Sequence, residues 1–181
     1  MVRFNLQKII RSKLPLKFDS EGIGYRVRYL VGPKYVEELI KKLKEEIDEL
    51  TKAETPFDKA MEAGDIIQVI YGFANYYSFE TGRLSAEDTG ETLEKVTQEF
   101  VNSIENNDEI PKKAQQLISK VLHYIQPIEI QQVEEQRLSK LGNHGDFNNG
   151  VFLEYMDLPE DDPRVETFLK DPEKYRQINS E

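Results

Sequence analysis

The chain has 181 residues, with 34 acidic and 24 basic side chains and a formal net charge of -10. This acidity argues against nonspecific binding to nucleic-acid polymers and anionic membranes, because both require a basic face. The sequence contains no cysteine, which excludes disulfides, thiol catalysis and cysteine-ligated zinc. No apolar run approaches the roughly 20 residues of a membrane span. We therefore expect a cytoplasmic protein.

The charge is distributed unevenly along the chain. Residues 1–44 carry eleven Lys or Arg against four acids, whereas the remainder carries 13 basic and 30 acidic residues. A cationic segment and an acidic body could pair with one another, or they could build a site where a metal meets a polyanion. Ordinary solvated surface of both signs explains the same distribution. The charge pattern alone leaves these readings open.

The N-terminal quarter shows little regular pattern before its first helix. Residues 1–20 contain Pro15 and few periodic positions, so we predict irregular structure there. Residues 25–29 alternate apolar and basic side chains, which predicts a short extended segment. Pro33 favours a helix start, because a missing N–H is harmless in the first turn. Apolar residues then repeat at helical spacing and predict a helix over 35–52.

The rest of the chain is predicted to consist mainly of further helices. We predict a second helix over 58–79, two amphipathic helices within 85–126, and a shorter helix over 129–141. Residues 151–153 form a brief apolar stretch that predicts a second extended segment. Strands and helices do not alternate as they would in a parallel α/β fold. The predicted fold class is therefore all-α, a helical bundle with short extended segments near both termini.

Five carboxylates border the apolar faces of the first two predicted helices. At 100° per residue, Glu45, Glu46 and Glu49 lie on one flank of the first helix, with Glu46 next to its apolar stripe. Glu62 and Asp65 lie at the edge of the apolar face of the second helix. If the two apolar stripes pack together, all five carboxylates converge beside the seam.

Such convergence requires compensation. Two like charges about 4 Å apart repel by roughly 1 kcal/mol in bulk water and by more in a cleft. A divalent cation would remove the repulsion, and an all-oxygen ligand set favours Mg²⁺ or Mn²⁺. The alternative is a solvated helix face, in which each ion pair contributes only a few tenths of a kcal/mol. Its basic partners would be Lys41, Lys42 and Lys44.

The order of these carboxylates follows a known two-helix pattern. Residues 45–49 (EEIDE) fit EExxE, and after twelve intervening residues 62–65 (EAGD) fit ExxD. This signature resembles the all-α nucleoside triphosphate pyrophosphohydrolases, the group that includes MazG and phosphoribosyl-ATP pyrophosphatase. The resemblance implies a helical bundle of that type. It also implies bound Mg²⁺, with Mn²⁺ as a substitute, held by Glu45, Glu46, Glu49, Glu62 and Asp65.

Two flanking segments are similar to one branch of small members of this group. Residues 8–15 (KIIRSKLP) look like the opening K-L-V-R-D-K-I-P, and residues 140–153 (KLGNHGDFNNGVFL) look like the closing K-x-x-x-R-G-G-F-x-x-G-I-x-L. The resemblance covers roughly residues 4–82 and 128–154. Three positions depart from the branch pattern: Ser12, His144 and Asp146. The first two change the charge near the expected substrate pocket.

Two segments of this chain have no counterpart in the short members of the group that it resembles. Residues 83–127 have no counterpart in the short members, and we predict an inserted helical pair that covers the site or replaces contacts from a second subunit. Residues 155–181 also lack a counterpart and are expected to form an acidic tail after a domain spanning 1–154. Family members pair two-helix units across a subunit interface, which implies a homodimer or a higher homo-oligomer.

The implied reaction is hydrolysis of a nucleoside triphosphate between its α and β phosphates, giving a monophosphate and pyrophosphate, as in house-cleaning of non-canonical nucleotides. The five carboxylates would act as metal ligands, and one of them would activate the attacking water. A triphosphate needs more positive charge than the metal supplies, so basic residues of the matched segments are candidate phosphate contacts. The candidate substrate-binding residues are Lys8, Arg11, Lys13, Lys140, His144 and Asn75.

Two alternatives remain at this stage. One is a phosphoribosyl-nucleotide pyrophosphohydrolase on the same scaffold. The other is a non-catalytic helical binding or regulatory module that keeps the carboxylate pattern without activity.

Overall fold

The computed structural model describes residues 1–178, and the chain folds into two compact units. Residues 1–38, together with the chain from residue 143 onward, form what we call the sheet unit. Residues 39–142 form the helical unit. Residues 179–181 of the predicted tail lie outside the described residues.

The sheet unit contains a four-stranded antiparallel sheet in the order β2-β3-β1-β4. Its strands are β1 (Val2–Ile9), β2 (Gly24–Tyr29), β3 (Val151–Leu158) and β4 (Arg176–Ile178). Phe4 on β1 lies opposite Met156 on β3, and both are buried in the core of this unit. The extended segments predicted near the two ends of the chain are therefore neighbouring strands of one sheet.

Two short helices complete the sheet unit: α1 (Leu14–Glu21) and α7 (Pro163–Lys170). Phe18 of α1 and Val165 of α7 are buried in the same core as the strands. The helix α1 ends at Gly22, whose φ of 68° is the left-handed conformation that commonly terminates helices.

The prediction of irregular structure over 1–20 is wrong, because β1 and α1 occupy most of it. Gln7 has a φ of 45°, and the pairing of β1 with β3 shifts register between Asn5 and Lys8. This β-bulge breaks the alternation of buried side chains, so the period-2 signal of a strand is lost in the sequence. The helix α1 is only eight residues long and carries little helical periodicity of its own.

Residues 155–178 belong to the sheet unit and not to a separate tail. The strand β3 continues through the predicted boundary as far as Leu158, which is fully buried. Phe168 of α7 packs edge-to-face on Phe4 of β1, with ring centroids 5.1 Å apart. Apolar contacts of this kind tie the acidic segment to the sheet, which its charge composition did not reveal.

The helical unit contains three whole helices and most of two others. They are α2 (Pro33–Lys52), α3 (Pro56–Tyr77), α4 (Leu93–Asn106), α5 (Ile110–Tyr124) and α6 (Ile130–His144). The helices predicted over 35–52, 58–79 and 129–141 are confirmed to within three residues at each end. Thr55 caps α3 by accepting a hydrogen bond from the backbone N–H of Asp58.

The segment 83–127 contains a helical pair, as the sequence predicts. Helices α4 and α5 pack against each other, and α5 also packs against α3. Phe100 of α4 meets Phe73 of α3 edge-to-face, with ring centroids 5.3 Å apart and both side chains fully buried. The pair thus extends the core of the helical unit, which gives α3 buried neighbours on several sides.

Over residues 1–178 the chain is mostly helical, with seven helices and four strands. The all-α prediction is correct about the dominant element and incomplete, because it lacks the antiparallel sheet. Within that range, none of the helices combines the length and apolarity that a membrane span needs.

Candidate metal centre

Helices α2 and α3 bring predicted carboxylates together within the helical unit. Glu46 and Glu49 of α2 and Glu62 of α3 each place one carboxylate oxygen so that all three atoms lie within 4.8 Å of one another. Two ligands on opposite sides of a Mg²⁺ ion stand about 4.2 Å apart, given Mg–O distances near 2.1 Å. The 4.8 Å limit is slightly wider than that span, so small side-chain adjustments would let the three oxygens bind one small cation. We call these three residues, with Glu45 and Asp65 beside them, the carboxylate cluster.

Glu46 occupies a position that the helix pattern would give to an apolar residue. The buried stripe of α2 runs through Leu39, Leu43 and Leu50, which are all fully buried. Glu46 lies three residues after Leu43 and four before Leu50, so it points the same way, and only 3 % of its surface is exposed. A carboxylate at such a position is expensive to bury unless something compensates its charge.

One oxygen of Glu46 is compensated and the other is not. Its Oε1 forms an ion pair with the ammonium of Lys42. Its Oε2 is buried and has no hydrogen-bond partner in the part of the chain that the structure describes. Burial raises the pKa of Glu46, Lys42 opposes that rise, and the negative charges of Asp65 and Glu49 add to it. An orphaned buried carboxylate oxygen beside further carboxylates is the environment that a cation would satisfy.

The pKa of Glu62 is also raised by burial and by neighbouring negative charge. Burial raises the pKa of Glu62 to about 8, the negative charge of Glu46 and a hydrogen bond with that residue add to the rise, and Lys140 opposes it. Close carboxylates of this kind titrate as a group, and one of them retains a proton at neutral pH when nothing else neutralises them. A bound divalent cation supplies the charge that otherwise comes from that proton.

Two lysines flank the carboxylate cluster. Lys42 of α2 pairs with Glu46 and places its Nζ 3.1 Å from Oε2 of Glu45, and its side chain is only 14 % exposed. Lys140 of α6 pairs with Asp65 of α3. Burial lowers the pKa of the Lys42 ammonium, but the charges of Glu46 and Glu45 outweigh that effect and raise it. Both ends of the cluster therefore carry a positive charge. The pairs of Lys42 with Glu45 and Glu46 are among those that the solvated-face alternative expects, but their side chains are mostly buried.

The two predicted substrate contacts of the helical unit differ in position. Lys140 lies at the cluster, through its pair with Asp65. Asn75 is exposed on α3, ten residues after Asp65. At 1.5 Å of rise per residue it stands about 15 Å further along the helix. The structure therefore brings Lys140, and not Asn75, to the carboxylates.

The remaining predicted contacts, Lys8, Arg11, Lys13 and His144, belong to the sheet unit. Arg11 is buried, donates from Nη1 to the backbone carbonyl of Gly145 at 2.9 Å, and lies over the ring of Phe147. The backbone N–H of Lys13 donates to the carbonyl of His144, also at 2.9 Å. Lys8 lies 5.3 Å from the ring centre of Tyr175. The contacts of Arg11 and Lys13 join the N-terminal segment to the chain around residue 145.

The joint between those segments leaves no room for a side chain at Gly145. Its φ is +83°, and a Cβ there would stand 2.3 Å from Oγ of Ser12. Ser12 also exchanges hydrogen bonds with Asp146: its backbone N–H donates to that residue's carbonyl at 2.7 Å, and its Oγ to Oδ1 at 3.1 Å. The departures Ser12 and Asp146 from the branch pattern are therefore partners of one another.

Sequence reasoning missed a buried contact that holds α6 on α3. Arg137 donates from Nη1 to Oε1 of Gln68 at 3.0 Å and forms two hydrogen bonds, 2.7 and 2.9 Å long, with Glu134. Its guanidinium lies over the ring of Tyr71. Gly64 was an available signal, because a glycine inside a helix often marks a close backbone approach. A Cβ at Gly64 would stand 3.2 Å from Cβ of Arg137.

Comparison with known proteins finds no match: no protein-family model, curated protein or solved structure matches this chain. The chemistry of the cluster is therefore argued from its own geometry.

Proposed function

We propose that this chain is a divalent-cation-dependent nucleotide pyrophosphohydrolase that cleaves a nucleoside triphosphate between its α and β phosphates. The observation that carries the proposal is the buried, unpartnered Oε2 of Glu46, placed beside the carboxylates of Glu49 and Glu62. The order EExxE and ExxD on two consecutive helices supports this reaction class over other uses of an acidic cluster. House-cleaning of non-canonical nucleotides is the role that this reaction class suggests.

The donor set fits Mg²⁺. Glu46, Glu49 and Glu62 would hold the ion through oxygen atoms, the ligands that Mg²⁺ and Mn²⁺ prefer. Mg²⁺ retains several waters in such sites, and phosphate oxygens can replace them. When bound, the ion would neutralise charge on the phosphates during bond cleavage.

The side chains around the ion would perform the remaining steps. Lys140 would pair with phosphate oxygens at the edge of the cluster, since an ammonium so placed is a strong donor to anions. Asp65 would keep Lys140 in position through the ion pair. A cluster carboxylate not engaged by the metal would take a proton from water as the water oxygen attacks the α phosphorus. The bond from that phosphorus to the bridging oxygen then breaks, and pyrophosphate departs.

The proposal extends to the wider organisation of the protein. The carboxylate pattern lies on α2 and α3, so the helical unit is the part of the chain that we relate to the all-α pyrophosphohydrolase bundle. We propose that the protein acts in the cytoplasm on a nucleotide substrate, and that it forms a homodimer or a higher homo-oligomer. The helical pair α4 and α5 would then cover the site or replace contacts from a second subunit.

The test is a product analysis with a panel of canonical and modified nucleoside triphosphates and phosphoribosyl-ATP in the presence of Mg²⁺. Pyrophosphate and orthophosphate are resolved from one another. We expect pyrophosphate from the native protein and none from Glu46→Gln or Asp65→Asn. Asp48→Asn is the matched control, because Asp48 lies on the same helix but is exposed and pairs with Lys52.

Each other outcome has a distinct meaning. Turnover of phosphoribosyl-ATP alone would select that substrate class on the same scaffold. Orthophosphate as the sole product would place cleavage at another bond. No turnover of any nucleotide by the folded protein with Mg²⁺ would favour the non-catalytic binding or regulatory module.

A further inference from the structure

We propose that the ammonium of Lys42 is a built-in cation that takes the place of a second metal ion, so that the carboxylate cluster binds one divalent cation per chain. This inference rests on the proposed function, because it assumes that a metal binds at the cluster. It deepens that function by assigning a role to a residue that the carboxylate pattern does not include.

The two oxygens of Glu46 have different environments. Oε1 is engaged by Lys42, and Oε2 is buried without a hydrogen-bond partner within residues 1–178. Two-metal sites hold their ions about 3.5–4 Å apart and need ligands shared between them. A carboxylate bridges two ions by giving one oxygen to each. Glu46 has a single oxygen to give, so it can serve one ion only.

Moving the Lys42 ammonium away from Glu45 and Glu46 has a large cost in free energy. Its side chain is mostly buried and its ammonium contacts Glu45 and Glu46, one turn further along the same helix. Moving that ammonium into water would leave the buried Glu46 carboxylate without its counter-ion. Removing one partner of a buried ion pair is strongly unfavourable. The further pair with Glu45 keeps the Lys42 ammonium beside Glu46 when a metal binds at the other oxygen.

The net charge of the carboxylate cluster also favours one bound metal ion over two. With all groups ionised, the five carboxylates and the ammonium groups of Lys42 and Lys140 carry a net charge of about −3. One divalent cation reduces the charge to about −1, so one metal ion and the two ammonium groups nearly neutralise the five carboxylates. Two doubly charged ions a few ångströms apart also repel each other strongly. One metal ion and one ammonium avoid that repulsion.

The experiment measures how many Mn²⁺ ions the full-length protein binds, by calorimetric titration and by the electron paramagnetic resonance spectrum of the bound ion. We expect one ion and an uncoupled spectrum for the native protein. Lys42→Met keeps the length of the side chain without its charge and should bind two ions with a spin-coupled spectrum. Lys42→Arg should bind one. The control Lys52→Met, which removes an exposed partner of Asp48, should also bind one.

The possible results distinguish failure of the role proposed for Lys42 from failure of the proposed metal-dependent function. Two spin-coupled ions in the native protein would overturn the role of Lys42 while leaving the metal site intact. A single ion in folded Lys42→Met would overturn it as well. No Mn²⁺ binding by the native protein would remove the metal from the proposed function and the inference with it. If Lys42→Met does not fold, two ions bound by folded Lys42→Arg, which keeps the positive charge, would overturn the role of Lys42.

Discussion

The ammonium of Lys140 on α6 pairs with the carboxylate of Asp65 on α3, across 75 positions of sequence. One turn earlier on α6, Arg137 donates to Gln68, which lies one turn after Asp65 on α3. The two contacts run in opposite order along the two helices, so together they fix how the helices align. Gly64 allows the close approach on which both contacts depend. The position of Lys140 at the carboxylate cluster is therefore a consequence of the α3–α6 packing.

Substituting Gly64 tests this packing. In Gly64→Ala the new Cβ would meet Cβ of Arg137 at 3.2 Å and its backbone nitrogen at 3.3 Å, so α6 must shift. We expect the free energy of unfolding in urea to fall by about 1–3 kcal/mol, because overpacking outweighs the helix propensity of alanine. Gly142→Ala on α6 is the control, since its Cβ meets nothing within 4 Å. That variant should be as stable as the native protein or more so.

Lys140 itself is expected to matter for the reaction. Lys140→Met removes a charged donor beside the cluster, and one charge-assisted hydrogen bond contributes about 1.5–3 kcal/mol. We expect kcat/KM for the triphosphate to fall by roughly 10- to 100-fold. The exposed Lys112, which pairs with Glu109, provides the control Lys112→Met. Equal loss in both variants would show that Lys140 has no special place.

Arg11 is expected to contribute to stability through its buried contact with Gly145. Arg11→Met leaves that carbonyl without its donor and removes the guanidinium from the ring of Phe147. We expect the free energy of unfolding to drop by about 1–3 kcal/mol. Arg26→Met is the comparison, because Arg26 is exposed and makes a surface ion pair with Glu154. A larger loss of stability in Arg26→Met would contradict the role assigned to Arg11.

The stability of the metal-free protein should depend on pH through Glu62. Its pKa is raised to about 8 in the folded protein from an ordinary value of 4.5, so between these values the folded state binds more protons than the unfolded state. The stabilisation from the bound proton is therefore present below about pH 4.5 and is lost as the pH rises through 8. Urea unfolding with a chelator at pH 6, 7, 8 and 9 should show a falling free energy.

Glu62→Gln removes one titrating group of the carboxylate cluster and should weaken this dependence. Saturating Mg²⁺ should flatten it in the native protein too, since the ion replaces the proton. A native protein whose stability rises over the same pH range in chelator would contradict the assignment.

The sequence was sufficient for the long helices and for the convergence of the carboxylates. Both follow from a 3.6-residue period sustained over α2 and α3, and the same period places Glu46 at the edge of the apolar stripe. The sheet was not predictable in the same way. The bulge at Gln7 interrupts the alternation of buried and exposed side chains in β1. The strand β3, which pairs with β1, lies about 150 residues away, so no local sequence pattern predicts the pairing.

The side chains that complete the site were also beyond the sequence. Lys42 is one of three neighbouring lysines on α2, and only its burial against Glu46 distinguishes it from Lys41 and Lys44. Arg137 reads as an ordinary charged residue of an amphipathic helix until α6 is placed on α3. Helical periodicity predicts which face a residue occupies, whereas its partner depends on how the helices pack.

The measurement that tests the central claim most directly is the affinity of the metal-free protein for Mn²⁺, compared among the native protein, Glu46→Gln and Asp48→Asn. Glu46→Gln removes the charge of the carboxylate that carries the unpartnered buried oxygen, and Asp48→Asn removes an exposed carboxylate two positions away. We predict saturable binding by the native protein and by Asp48→Asn, and a loss of at least tenfold in affinity in Glu46→Gln. Equal affinity in all three proteins would contradict the proposed metal centre.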